Sequence, residues 1–216
     1  MPTDRGGAQV TESAATSVEN SDRRAHTSVP LHPLIADRWS PRNLDATAEF
    51  SLDQLRPLFE AARWAPSWGN SQPARYLVGL RGSETFERIA STLTRGNKAW
   101  APASAALVVG IAVVLDEEGH PLPYSEYGLG MATQNLVLQA VAEGMIAHQM
   151  AGFDAEAIAD AFNLPDSVEP RVTIAIGRLA APGTGPEDLR ERDAQPRKRR
   201  GLDELVSGEA WGTPVY

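Results

Sequence analysis

Three short stretches of the chain carry side chains that could hold a small charged or planar molecule. The first is Arg38-Trp39-Ser40-Pro41-Arg42, in which two guanidinium groups four residues apart flank a hydroxyl. Guanidinium forks take phosphate oxygens in pairs, so the set suits a phosphate together with a second electron-rich group. Taken alone, the pentapeptide also reads as a solvated basic turn. The second stretch is Pro66-Ser67-Trp68-Gly69-Asn70, followed by Gln72. Amide and hydroxyl groups beside an indole could hold the polar edge and the face of a planar heterocycle. Turn chemistry explains the Gly and Pro but not Trp68 and Asn70, for which a surface tryptophan is the plainer alternative. The third is the basic run Arg197-Lys198-Arg199-Arg200, which could be a nucleic-acid patch, a solvated tail or a phosphate clamp. Acids at Glu187, Asp188, Glu191, Asp193, Asp203 and Glu204 flank it on both sides, which favours the local clamp.

Other chemistries find little support. His26, His32, His120 and His148 are far apart and show no ligand spacing, so no metal site is expected. The chain lacks Gly-x-Ser-x-Gly, a P-loop and a complete Gly-x-Gly-x-x-Gly. His148 lies in a mainly apolar segment, where a hydrogen-bonded structural histidine outweighs a catalytic one.

The elements around these stretches follow from periodicity. Ser51-x-x-Gln54 resembles a capping box, and Leu52, Leu55, Phe59 and Ala62 then share a helical face. Pro57 within that helix predicts a kink or a later start. A loop over residues 65–73 runs into a strand at Tyr76–Leu80, and Phe86, Ile89, Ala90 and Leu93 mark an amphipathic helix. The aliphatic run Ala106–Leu115 predicts a central buried strand. From Ser125 to Glu143 apolar residues occupy almost every face, which predicts a buried helix, ended by Gly144, at a subunit interface. Further strands are expected at Met145–Phe153 and Val172–Ile176, with a short helix capped by Asp154 between them. A short apolar segment at Leu202–Val206 and a closing Trp211 suggest a terminal arm that wraps a partner.

A chain of 216 residues suits one well-buried domain. Residues 1–29 have almost no large apolar side chains and are expected to be a mobile tail, with a single domain over 30–216. No apolar run approaches a membrane span, there are no cysteines, and no secretory pattern opens the chain, so a soluble cytoplasmic protein is expected. The net charge of −8 argues against a nucleic-acid partner.

Taken in order, four motifs resemble the nitroreductase family of flavoproteins. They are Arg-x-Ser-x-Arg at 38–42, Ala-Arg-Trp-Ala-Pro-Ser-x-x-Asn-x-Gln-Pro at 62–73, Gly-Phe-Asp at 152–154 and Arg-x-Arg at 197–199. The likeness spans about residues 31 to 212. It implies an α+β sandwich with a mainly antiparallel sheet between helices, and a homodimer whose swapped terminal segments enclose two FMN sites. Arg38 and Ser40, beside Trp39, would hold the FMN phosphate with Arg197 and Arg199. Arg42 would lie near N1 and O2 of the flavin, where a fixed charge stabilises the reduced ring. Pro66, Ser67, Trp68 and Asn70 would come from the partner chain, Asn97 would meet the pyrimidine edge, and Gln149, Met150, Ala151 and Gly152 would run beside the central ring with a backbone N–H toward N5. Ala151 departs from a branch that has an acidic residue there, so that branch's acceptor and nicotinamide preferences do not carry over. Gly201 stands where many members have proline.

The resemblance implies ping-pong transfer of hydride from NADH or NADPH, through the flavin, to a small acceptor such as a quinone or nitroaromatic. Two rivals keep the fold: a specialised oxygen-using flavoenzyme, and a non-enzymatic flavin-binding or structural dimer.

Overall fold

The structure is a computed structural model and describes residues 23–216. The part of the expected tail that spans residues 1–22 lies outside the described residues. Described residues before residue 30 already make contacts: the Arg23 guanidinium donates to the Gln195 carbonyl at 2.8 Å, and the Ala25 N–H donates to the Ala36 carbonyl at 2.9 Å.

A four-stranded sheet forms the centre, with strands β1 (Ala74–Leu80), β2 (Ala106–Val113), β3 (Ile146–Met150) and β4 (Val168–Gly177) in the order β1-β2-β4-β3. Every pairing is antiparallel. The aliphatic run of β2 takes a central position because both of its faces are covered. Ala106 and Val108 pack on one side with Ile174 and Ile176, and Leu107, Val109 and Ile111 pack on the other with Ala175. The first side is covered by helices α2 (Leu52–Arg63) and α4 (Ser125–Ala142), the second by α3 (Glu84–Thr92) and α5 (Ala155–Phe162). This is the expected α+β sandwich. Three shorter helices complete the chain: α1 (Pro33–Asp37), α6 (Glu187–Asp193) and α7 (Leu202–Leu205).

Local signals set most boundaries. Ser51 Oγ accepts from the Gln54 N–H at 3.3 Å and Gln54 Oε1 accepts from the Ser51 N–H at 2.9 Å, so the capping box is complete. The start of α2 is therefore where the cap places it, and Pro57 does not delay it. The carbonyl that proline leaves without an N–H is that of Asp53, an exposed first-turn residue that water can serve. Gly144, with φ +67°, ends α4 in the left-handed region. Its N–H donates to Val141 and that of Met145 to Ala140, the paired bonds of a Schellman cap. Asp154 caps α5 through the Ala157 N–H at 3.0 Å. Several short elements escape the sequence reading: α1, α6, a helical turn at Trp68–Asn70 inside the loop, and helical turns at Arg95–Ala99 and Ala101–Ala103.

Candidate functional site

The first and third motifs, about 160 residues apart in the chain, meet in one recess of about 270 Å³. Its walls hold the guanidinium groups of Arg23, Arg38, Arg42, Arg192, Arg197 and Arg199 beside Trp39 and Ser40. The Arg38 guanidinium donates to Ser40 Oγ at 3.2 Å. Burial and then the charge of Arg199 depress the Arg38 pKa, a sign that cations crowd here without matching anions. Trp39 gives its face to Arg23, 4.7 Å from the ring centroid. Arg42 sits 6.0 Å over the ring of Trp100, and burial followed by the charge of Arg192 lowers its pKa.

Arg197 differs from the expected pure phosphate ligand. Its guanidinium donates to the carbonyls of Arg23 at 2.7 Å, Ala36 at 2.8 Å and Arg38 at 2.9 Å, which leaves two of its five N–H groups for anything else. It clasps the segment that presents Arg38. Arg199 is exposed and, among the described residues, bonds only the neighbouring Lys198 carbonyl.

The end of β3, the strand whose His148 reaches Pro41, turns into a tight crossing. Thr173 Oγ1 donates to the carbonyl of buried Met150 at 3.3 Å, while Gln149 and Ala151 are exposed. Gly152 is buried, and its carbonyl accepts from the Thr94 N–H at 3.0 Å and from Asn97 Nδ2 at 3.1 Å. A Cβ on Gly152 would come within 2.6 Å of Asn97 Nδ2, so only glycine lets the two segments approach this closely. The Gly152 N–H finds no partner among the described residues. Thus Asn97 and Gly152, read separately from the sequence, form one unit.

His148 is 5 % exposed. Its Nδ1 is 2.7 Å from the Pro41 carbonyl, and its ring lies 4.5 Å from that of Trp100. Burial pushes its pKa down to about 4, against the opposing effect of the Pro41 hydrogen bond. It is a neutral, structural histidine whose Nδ1–H donates to Pro41.

The second motif stands elsewhere on the same chain. Its loop lies over the start of α4: a Cβ on Gly128 would come within 2.7 Å of Pro73, and Trp68, 55 % exposed, has its ring centroid 6.4 Å from that of Tyr124. Ser67 Oγ accepts from the Gln72 N–H at 2.9 Å, and Gly69, Asn70 and Gln72 all take positive φ. Pro66 and Asn70 are exposed. Among the described residues, no hydrogen bond joins this loop to the arginine cluster.

Sequence reasoning missed Arg23, Arg192, Trp100 and the use of Asp193. The last had been noted only as one acid beside the basic run, because its partners are backbone N–H groups that no side-chain pattern reveals. A further recess of about 560 Å³ shares Arg42 and is walled by Leu44, Trp100, Ala103 and Leu189. Away from the site, Asp116, Glu118 and His120 cluster on a turn that the Asp116 carboxylate closes by accepting from the Glu118 and His120 N–H groups.

The sequence matches the profile of the Nitroreductase family over residues 35–110 and 105–178. The chain belongs to the nitroreductase family. An uncharacterised 15.4 kDa protein of Mycolicibacterium smegmatis is 38% identical over 149 residues, covering 65% of this chain and 99% of that protein. A Streptomyces coelicolor protein provisionally named NADH dehydrogenase/NAD(P)H nitroreductase is 30% identical over 151 residues, covering 59% of this chain and 73% of that one. Among solved structures, a crystal structure of an oxidoreductase containing FMN superposes with a TM-score of 0.80 at 32% identity, over 88% of this chain and 97% of the other. As a nitroreductase-family member the chain is an oxidoreductase, and the arginine cluster and the Gly152 crossing are parts of its candidate site.

Proposed function

We propose that this chain is an FMN-dependent oxidoreductase that works as a homodimer, takes electrons from NADH or NADPH and delivers them to a small acceptor such as a nitroaromatic or quinone. The observation that carries the reading is the recess whose walls hold Arg38, Arg42, Arg192 and Arg199 together with the Ser40 hydroxyl, with Asp193 the only carboxylate there among the described residues. Such a concentration of positive charge suits a phosphate monoester, which supplies the missing anion and several acceptor oxygens. The buried Gly152 crossing, with a free N–H and no room for a Cβ, suits a flat ring laid against backbone. The residues therefore fit FMN, and the similar FMN-containing oxidoreductase supports the choice.

When bound, FMN would supply the redox chemistry, hydride transfer from a nicotinamide donor to a small acceptor in a ping-pong cycle. The chain's own residues hold and tune. Arg38, Ser40 and Arg199 bind the phosphate, Arg197 fixes the backbone that carries Arg38, and Arg42 places a permanent charge at the electron-rich edge of the ring. Asn97 braces the Gly152 carbonyl and keeps that segment's N–H in place. Pro66, Ser67, Trp68 and Asn70 serve the site of the second protomer, which accounts for their distance from the arginine cluster in a single chain.

The test is an absorbance spectrum of the purified protein loaded with FMN, taken before and after NADH or NADPH is added without oxygen. Flavin bands that bleach with either donor support the reading; a protein that takes up no FMN, or takes it up and is reduced by neither, overturns it.

A further inference from the structure

A carboxylate set among six arginines would ordinarily form a bidentate ion pair with one of them. Asp193, the last residue of α6, forms no ion pair within 4.0 Å among the described residues. It accepts instead from the backbone: both of its oxygens take the Arg42 N–H, at 3.0 and 2.9 Å, and Oδ2 also takes the Asn43 N–H at 2.9 Å. The other end of the same peptide unit is held as well, since the Pro41 carbonyl lies 2.7 Å from His148 Nδ1. The Pro41–Arg42 peptide plane is thus pinned at its oxygen by β3 and at its nitrogen by the C-terminal segment. With that plane held and the next one tied to the same carboxylate through the Asn43 N–H, the backbone dihedrals of Arg42 are restrained, and with them the direction in which its side chain leaves the backbone.

We propose that Asp193 is a positioning residue for Arg42: its carboxylate, opposed by His148, sets the Pro41–Arg42 peptide so that the Arg42 guanidinium meets the electron-rich edge of the flavin while the neighbouring arginines stay unpaired for the phosphate. This rests on the FMN reading above. It gives the C-terminal segment a role in tuning the cofactor as well as in binding it. The next residues are anchored independently, because Leu44 bridges Leu179, Asp45 N–H donates to the Arg178 carbonyl, and Asn43 Nδ2 donates to the Thr184 carbonyl. Loss of the carboxylate therefore frees the Arg42 end of the segment and leaves the rest in place.

Positioning and simple charge neutralisation predict opposite signs. The Asp193→Asn change removes one acceptor oxygen and sets amide N–H groups against backbone N–H groups, so positioning predicts weaker FMN binding by roughly tenfold, in the range seen when groups that orient a ligand's contacts are lost. If the reduced cofactor loses a further tenfold, the midpoint potential falls by about 30 mV. Were Asp193 only a counter-charge, its removal would tighten binding of the anionic phosphate and raise the potential. The experiment measures FMN dissociation constants and midpoint potentials for the wild type, Asp193→Asn, Arg42→Ala and the double variant. The expected result is weaker binding and a lower potential in Asp193→Asn, with both effects lost in the Arg42→Ala background. Unchanged or tighter binding, an unchanged or raised potential, or an effect that persists without Arg42, overturns the proposal. If Asp193→Asn does not fold, Asp193→Glu, which keeps the charge but displaces it by a methylene, replaces it in the same cycle with the same signs expected. A wild-type protein that binds no FMN overturns the flavoprotein reading itself and this one with it, whereas wild-type binding with an indifferent Asp193 overturns this one alone.

Discussion

His148 is held neutral by burial, with its pKa near 4 in the folded chain against about 6.5 when exposed. Arg42 and Arg38 add to that depression, while the Pro41 carbonyl and Asp193 oppose it. Above pH 6.5 neither the folded nor the unfolded state carries the proton, so this histidine costs nothing. Between pH 6.5 and 4 only the unfolded state binds it, and stability should fall as pH falls, by about 3 kcal/mol over the window. Urea unfolding at fixed FMN from pH 7 to 4.5 should show this slope, and His148→Asn, whose amide can still donate to Pro41, should flatten it. The same slope in both proteins would assign the loss to other groups. A second prediction concerns Gly152. Its replacement by Ala puts Cβ 2.6 Å from Asn97 Nδ2 and 3.3 Å from the Thr94 carbonyl. Asn97 can swing away but then loses its bond to residue 152, so a stability loss of about 1–2 kcal/mol, together with weaker FMN binding, is expected in thermal melts and flavin titrations. A variant of wild-type stability and affinity would remove Gly152 from the site. Of the site residues, Arg38, Ser40, Arg42 and Arg199 were legible because their chemistry is carried by side-chain type within short motifs, whereas Arg23 and Arg192 join them only through the fold. Asp193, Trp100 and the clasp made by Arg197 were not, since each acts through backbone carbonyls or N–H groups or through a ring brought near by folding.

Local chemistry decides the boundaries of single helices, and there sequence reading served best. The Ser51–Gln54 box is reciprocal and its cap is exposed, so Ser51→Ala should lower stability by about 1 kcal/mol and leave FMN affinity unchanged, because Leu55, Leu58 and Ala62 still fill the core beneath α2. Differential scanning calorimetry with a parallel flavin titration checks both halves. A change in affinity would mean that α2 reaches the site. Pro57 did not delay the helix start, one of the two outcomes expected of it, because the residue whose carbonyl it leaves unpaired, Asp53, is exposed. The fully apolar β2 was read correctly as central because eight residues without a polar side chain demand cover on both faces. By contrast, α1 has only five residues, too few for periodicity to show.

In a single chain the candidate site chemistry is divided, with the arginine cluster in one place and the Trp68 loop in another. The outward stripe of α4 joins the two problems. Tyr127, Met131, Gln134, Leu138 and Val141 follow helical spacing along the side turned away from the sheet, and Tyr127 is 68 % exposed, with Tyr124 at 65 % beside Trp68. In the proposed homodimer, this stripe, apolar except for Gln134, on a helix already buried on its other side would be the surface through which a second copy brings its loop to the first copy's cofactor. Sedimentation should therefore give twice the 23.2 kDa chain mass. Leu138→Glu should yield a folded monomer with FMN binding reduced at least tenfold, since a buried unpaired carboxylate opposes association. A monomeric wild type that binds FMN normally would refute the shared site.

By itself the sequence determined what is local or compositional: the capped helices, the buried strands, the two-faced sheet, and the donors suited to a phosphate and a planar ring. These follow from side-chain type and spacing over a few residues, which the chain carries wherever it goes. Tertiary structure alone decided which donors act together. It brought Arg38 to Arg199 across about 160 residues, spent Arg197 on carbonyls, fixed both ends of one peptide plane with His148 and Asp193, and left the Trp68 loop far from the arginines. Such pairings depend on the energy of closing long loops around a common core, and no short stretch of sequence encodes that energy.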